Sequence, residues 1–167
     1  VIDKIKQDWV IQVYEDTRGT PHIIIDNWYN EKELKSIWHE LEFYNLQKNV
    51  IQANKTKDVA RDENNKAKSN ALRFYLDTFY TPFGQKISPI SSCMYKQRSS
   101  QFKQIVKQAM PLHYKNFCVT NTDNTMISYY DKGKYYKPHS DSLQFTCLIW
   151  LFKEPKKFKG GDLKLIP

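Results

Sequence analysis

Tyr129-Tyr130-Asp131-Lys132-Gly133-Lys134-Tyr135-Tyr136-Lys137-Pro138-His139-Ser140-Asp141-Ser142 is the stretch on which the reading of this chain turns. Leu143-Gln144-Phe145-Thr146-Cys147-Leu148-Ile149-Trp150-Leu151-Phe152 follows it, and Gly160-Gly161-Asp162-Leu163-Lys164-Leu165-Ile166-Pro167 lies beyond. In order these read as the end of a strand, a glycine turn, a His-x-Asp pair, an apolar β-type run, a lysine-rich loop and a Gly-Gly lead into another strand. His139 and Asp141 are separated by one residue, so on extended backbone both project from the same side. An imidazole nitrogen beside a carboxylate oxygen can grip one face of a divalent metal, and this donor pair points to oxygen activation at non-haem iron. With four His and eleven Asp in 167 residues, such a tripeptide arises by chance in roughly one chain in four. The flanks therefore decide its meaning.

Working outward, Thr125 to Asp131 is expected to be a strand whose alternation sets Tyr130 and Met126 on the face opposite Tyr129 and Ile127. On the run after the pair, the same alternation groups Thr146, Leu148 and Trp150 against Phe145, Cys147 and Ile149. The arrangement as a whole resembles the prolyl 4-hydroxylase-like branch of the Fe(II)/2-oxoglutarate-dependent dioxygenases. That family follows a pattern close to Tyr-x-x-Gly-x-x-Tyr-x-x-His-x-Asp-Ser, a Thr-bearing hydrophobic strand, then Gly-Gly-x-Leu. Tyr130, Gly133, Tyr136, His139, Asp141, Thr146, Gly160, Gly161 and Leu163 fall in register with it.

The resemblance implies a fold and a site. The fold is α+β and mainly β, a double-stranded β-helix (jelly-roll) core with supporting N-terminal helices and the C-terminal strands missing. His139 and Asp141 are then the metal ligands and catalytic residues, and Tyr130, Tyr136, Thr146, Leu148, Trp150 and Leu163 line the cosubstrate pocket. At the position of Trp150 many relatives carry a Tyr that meets the distal carboxylate of 2-oxoglutarate, whereas Trp offers only an indole N–H. The implied reaction hydroxylates an unactivated C–H bond and turns 2-oxoglutarate and O2 into succinate and CO2, with Fe(II) held by two His and one carboxylate. Ascorbate enters as an accessory reductant, and the substrate class is a peptidyl prolyl or similar side chain, or a small molecule. The family's third ligand, a second His, and its 2-oxoglutarate-binding Arg lie beyond the Gly-Gly strand, and no residue here matches either. A chain truncated at its C-terminus is the expectation.

A second anchor lies near the start. Pro21-His22-Ile23-Ile24-Ile25-Asp26-Asn27-Trp28 reads as a buried strand, and Tyr29 to Tyr44 as a helix with apolar Leu34, Ile37, Trp38, Leu41 and Phe43, starting near Asn30 or Glu31. Residues 46–70 are polar and rich in Asn and Lys, which suggests a mobile loop. Helix-like spacing recurs over Ala71 to Tyr80 and over Tyr95 to Met110, the latter through Phe102, Ile105, Val106 and Ala109, within a stretch 71–115 expected to hold supporting helices. Residues 117–167 are expected to form the first part of the catalytic jelly roll. The whole chain, 1–167, reads as one domain, since 40% hydrophobic and 14% aromatic residues exceed what disordered chains carry.

No run reaches transmembrane length and Val1-Ile2-Asp3-Lys4 has no signal-like apolar core, so a soluble cytoplasmic protein without a membrane partner is expected. Cys93, Cys118 and Cys147 are odd in number and lack Cys-x-x-Cys or zinc spacing, and are read as reduced structural thiols. His22, His39 and His113 are read as structural or surface residues. The net charge of +8 and pI near 9.3 suit either a polyanionic partner or solvated lysine-rich loops, the latter favoured because the bases are spread out. Two function classes stay open. A hydroxylase needs His139; a non-catalytic jelly-roll module, binding nucleic acid through its charge, does not.

Overall fold

The computed structural model describes residues 8–14, 21–45, 50–79, 88–121 and 123–166. Positions 46–49 of the expected loop, Tyr80 of the expected helix and Pro167 lie outside them. Strand β1 (Val10–Tyr14) pairs antiparallel with β2 (His22–Asp26), Gln12 opposite Ile24. The second strand was expected to be buried; it is not, because among the described residues it pairs with β1 alone, in a two-stranded ribbon that leaves Ile24 exposed.

Helix α1 (Glu31–Asn45) follows. Its start is a reciprocal cap: the Glu33 amide donates to Asn30 Oδ1 and the Asn30 amide to Glu33 Oε2, both at 2.9 Å, which satisfies two otherwise unpaired N–H groups. Ile37, Leu41 and Tyr44 recur at helical spacing and face the core. Against them lies a three-stranded antiparallel sheet in the order β3 (Ile51–Gln52), β4 (Leu72–Tyr75) and β5 (Met126–Tyr129).

The register sets Phe74 opposite Ile127 and Arg73 opposite Ser128, so the sheet has two unlike faces. Phe74, Ile127 and Tyr129 pack on α1; Tyr44 stacks on Phe74 at 4.3 Å, and the Tyr129 hydroxyl donates to the Leu41 carbonyl at 2.8 Å. Arg73, Tyr75 and Ser128 lie on the other face. The expected helix over Ala71 to Tyr80 is thus a strand, β4, followed by the single turn α2 (Leu76–Phe79).

Three further helices support this unit. Helix α3 (Pro89–Met94) is capped by Ser88 and leads into a 3-10 turn at Tyr95–Arg98. Buried Glu40 of α1 accepts hydrogen bonds from the Tyr44 hydroxyl, from Ser88 Oγ at 2.5 Å and from the Ile90 amide at 2.7 Å, tying α1 to the start of α3. Helix α4 (Ser100–Ala109) is capped by Ser99, and α5 (Pro111–Val119) starts on its proline. The chain is therefore helical up to Val119, and the strand region begins later than residue 117.

Beyond Tyr129 the described residues hold no named strand. The expected strands at Leu143 to Phe152 and after Gly160-Gly161 do not form, because a strand is a pairing as well as an alternation and no partner ladder lies beside them. Instead the segment is fastened by side chains: Phe145 meets Phe117 edge-on at 5.4 Å, Leu151 packs on the α1 core, and Lys153 reaches Glu42 at 2.5 Å. Cys147 accordingly lies outside any strand and is exposed. Helix outweighs strand among the described residues, correcting the mainly-β expectation, and no barrel or jelly roll closes among them. No described helix is long and apolar enough to cross a membrane.

Candidate metal centre

The approach to His139 is built from two segments far apart in sequence. After β5 the chain turns at 131–134, where the Lys134 amide donates to the Asp131 carbonyl at 2.9 Å and Gly133 takes a φ of 77°, a conformation open to glycine and costly for other residues. The next residues lie along the loop 56–70. Ser69 bridges to Tyr136, the Asn70 amide donates to the Tyr135 carbonyl, the Lys137 amide to the Lys68 carbonyl, and the Tyr135 amide to Asn70 Oδ1. The loop holds itself through Asp62, whose Oδ1 accepts the Asn64 and Lys66 amides, bonds that with the nearby lysines keep its carboxyl below the usual range.

His139 then meets Asp141. Its Nδ1 lies 2.8 Å from the Lys137 carbonyl, and its Nε2 lies 3.3 Å from Asp141 Oδ1. A carbonyl only accepts, so Nδ1 is the ring nitrogen that donates there, and Nε2 is the one that faces the carboxylate. A nitrogen and a carboxylate oxygen at that distance are held together by a proton on the nitrogen or by a cation between them. Ligands at about 2.1 Å from one ion and at right angles stand about 3.0 Å apart, close to the observed spacing. The other carboxylate oxygen, Oδ2, accepts from Thr146 Oγ1 at 2.7 Å, an arrangement that orients a ligating carboxylate. The donor set thus fits a divalent metal with two of its positions. Among the described residues no third His, Cys, Asp or Glu joins the pair.

The Tyr136 ring stacks on the His139 imidazole with centroids 3.7 Å apart and planes at 12°. Tyr130 lies on the polar face of the sheet, where burial raises its hydroxyl pKa and Arg73 opposes the rise. Of the six residues expected around a cosubstrate, Tyr136 and Thr146 therefore touch the ligand pair, and Tyr130 shares a face with Arg73. Leu148, Trp150 and Leu163 are each more than half exposed.

Arg73 is the neighbour that sequence reasoning missed. Its side chain is 2% exposed, its guanidinium is 5.2 Å from the Tyr136 centroid, one terminal nitrogen reaches Thr56 Oγ1 at 3.4 Å, and Asp58 is 3.9 Å away. Burial works against its charge, but the Tyr136 and Tyr75 hydroxyls more than offset this. Tyr75 in turn donates to Asp58 at 2.7 Å. Alternation with Phe74 was the one available signal, and it required reading Leu72–Tyr75 as a strand.

No family model matches the chain, and no solved structure matches it. It is 28% identical over 126 residues, 71% of its own length, to a protein of the cyanobacterium Synechocystis named an uncharacterized PKHD-type hydroxylase. The chain spans 39% of the length of that relative.

Proposed function

We propose that this chain carries the metal-binding part of an Fe(II)- and 2-oxoglutarate-dependent hydroxylase of the prolyl 4-hydroxylase-like kind. The observation that carries the reading is the His139–Asp141 pair, with Nε2 turned towards a carboxylate that Thr146 holds from behind. Similarity to a protein named a hydroxylase supports it. In this reading His139 and Asp141 hold the iron, and the sheet β3–β5 forms one wall of a jelly roll. Iron so held supplies activation of O2 at the expense of 2-oxoglutarate, for insertion of oxygen into a C–H bond of a peptidyl or small-molecule substrate. The chain's own residues place and shield: Tyr136 covers one face of the imidazole, Thr146 orients the carboxylate, and Tyr130, Leu148, Trp150 and Leu163 line the cosubstrate side. The reading requires a third ligand in addition to this pair.

The test is Fe(II)-dependent formation of succinate from 2-oxoglutarate, without added substrate, by a protein in which the third ligand is present, as wild type and as His139→Ala. Turnover by the wild type that falls at least a hundredfold in the variant is expected. Absence of turnover in both, with the wild type folded, would overturn the reading and favour a binding module.

A further inference from the structure

We propose that Arg73 is a positioning residue for His139, acting through the Tyr136 ring; the proposal rests on reading His139 as a metal ligand. Three observations carry it. First, His139 sits on a stretch without regular secondary structure, and the Nδ1 contact to Lys137 is made to a residue only two positions away. That single bond leaves the ring free to swing about it, and the parallel stack of Tyr136 at 3.7 Å removes the freedom. Second, Tyr136 is fixed from outside its own segment, by the bridge to Ser69, by the Ala60 amide against its hydroxyl at 3.4 Å, and by the Arg73 guanidinium.

Third, the charge on Arg73 is poorly accounted for by ion pairing. Nε is buried without a hydrogen-bond partner, and its carboxylate neighbour Asp58 is 3.9 Å away and 55% exposed. A buried guanidinium is expensive to desolvate, and a long apolar side chain fills such a place at lower cost. Its interactions instead converge on the hydroxyls of Tyr136 and Tyr75 and on the Tyr136 ring, where a desolvated cation is held strongly. The cation thus anchors the ring, and the ring aims the imidazole so that Nε2 stays opposite Asp141. This is the role outer partners play around metal ligands, and loss of one typically weakens metal binding ten- to a hundredfold.

The experiment uses the full chain as wild type, Arg73→Met, Arg73→Lys, Tyr136→Leu, Tyr136→Phe and the Arg73→Met/Tyr136→Leu double variant. Mn(II) affinity is read from the EPR signal of the free ion. The tautomer and mobility of the His139 ring are read by nitrogen NMR of the metal-free protein. Arg73→Met and Tyr136→Leu are each expected to weaken Mn(II) binding about tenfold and to replace a single, ordered set of His139 ring signals by a motionally averaged one. Tyr136→Phe, which keeps the stack, should bind within about threefold of wild type, and the double variant should be no worse than Tyr136→Leu alone. Should Arg73→Met fail to fold, Arg73→Lys and Tyr136→Leu carry the comparison. Wild-type affinity and an unchanged ring spectrum in the single variants, or additive losses in the double variant, would overturn the proposal. A wild type that binds no Mn(II) would instead overturn the metal reading, while the metal-free ring spectra still decide whether Arg73 positions His139.

Discussion

Glu40 shows how much one side chain can organise. It is 7% exposed and its carboxylate answers three donors, the Tyr44 hydroxyl, Ser88 Oγ and the Ile90 amide. Removing it leaves buried donors without partners, which costs more than the bonds themselves contribute. Glu40→Ala is expected to destabilise the fold by about 3 kcal/mol and Tyr44→Phe by about 1 kcal/mol in urea unfolding; equal, small effects would show that water replaces the carboxylate. Cys93 lies beside this cluster, and burial pushes its thiol up to about 11, leaving little thiolate at neutral pH. Burial raises the Cys147 thiol as well, but the residue is exposed where Cys93 is buried, so iodoacetamide at pH 8 should label Cys147 before Cys93, and Cys93 only once the protein unfolds. The contact between His139 and Asp141 is legible at this scale because it is local, two side chains one residue apart. Arg73 is not, since its partners Thr56, Asp58 and Tyr136 lie 15 to 63 positions away and sequence spacing carries no trace of them.

At the scale of elements, legibility followed how far each one depends on its own residues. Helix α1 was read almost to its ends because the cap at Asn30 and the spacing of Ile37 and Leu41 lie within it. The Ser88-Pro89 start of α3 was equally local, a capping side chain ahead of a proline at the first turn, and it went unread. Leu72 and Leu76 suit a helical period while Leu72, Phe74 and Leu76 suit a strand, and so short a run does not decide between them; what selects the strand is its pairing with β5, more than fifty residues on. That pairing presses Phe74 on Tyr44, so Phe74→Ala should cost about 4 kcal/mol by removing a ring from a filled core. Ser99→Ala, which removes the cap on the Phe102 amide, should cost about 1 kcal/mol. Thermal melts of the two variants would sink this ordering if the cap mattered more than the ring.

For the whole molecule, the contrast is between a closed core around α1 and β4 and an open stretch from Leu143 to Ile166. The latter exposes Leu143, Trp150, Phe158, Leu163 and Ile166 by half or more, so the chain should raise the fluorescence of an apolar dye in its native state. A response as low as that of a closed globular protein would show these residues are covered in solution. Stability should also depend on pH with a definite sign. Burial raises Cys93 to about 11 and Tyr129 to about 12, so the folded state holds these protons more tightly than the unfolded chain. Their contribution is complete below about pH 9 and is lost as pH rises through 11 and 12. The urea midpoint should fall from about pH 9 upward, and Cys93→Ala should flatten the first part of the fall. A profile unchanged by that substitution would remove Cys93 from the account.

The backbone bonds from Lys68 and Asn70 to Tyr135 and Lys137 also bear on the order of events during folding. They close a loop of more than sixty residues, and the chain must lose that freedom before His139 is brought to bear on Asp141 from a settled backbone. The His139–Asp141 contact is therefore a late product of folding, although its two residues are near neighbours in sequence. Refolding followed by pulsed amide exchange should protect the α1 amides first and the Lys137 amide last; simultaneous protection would mean that the loop and the core form as one step.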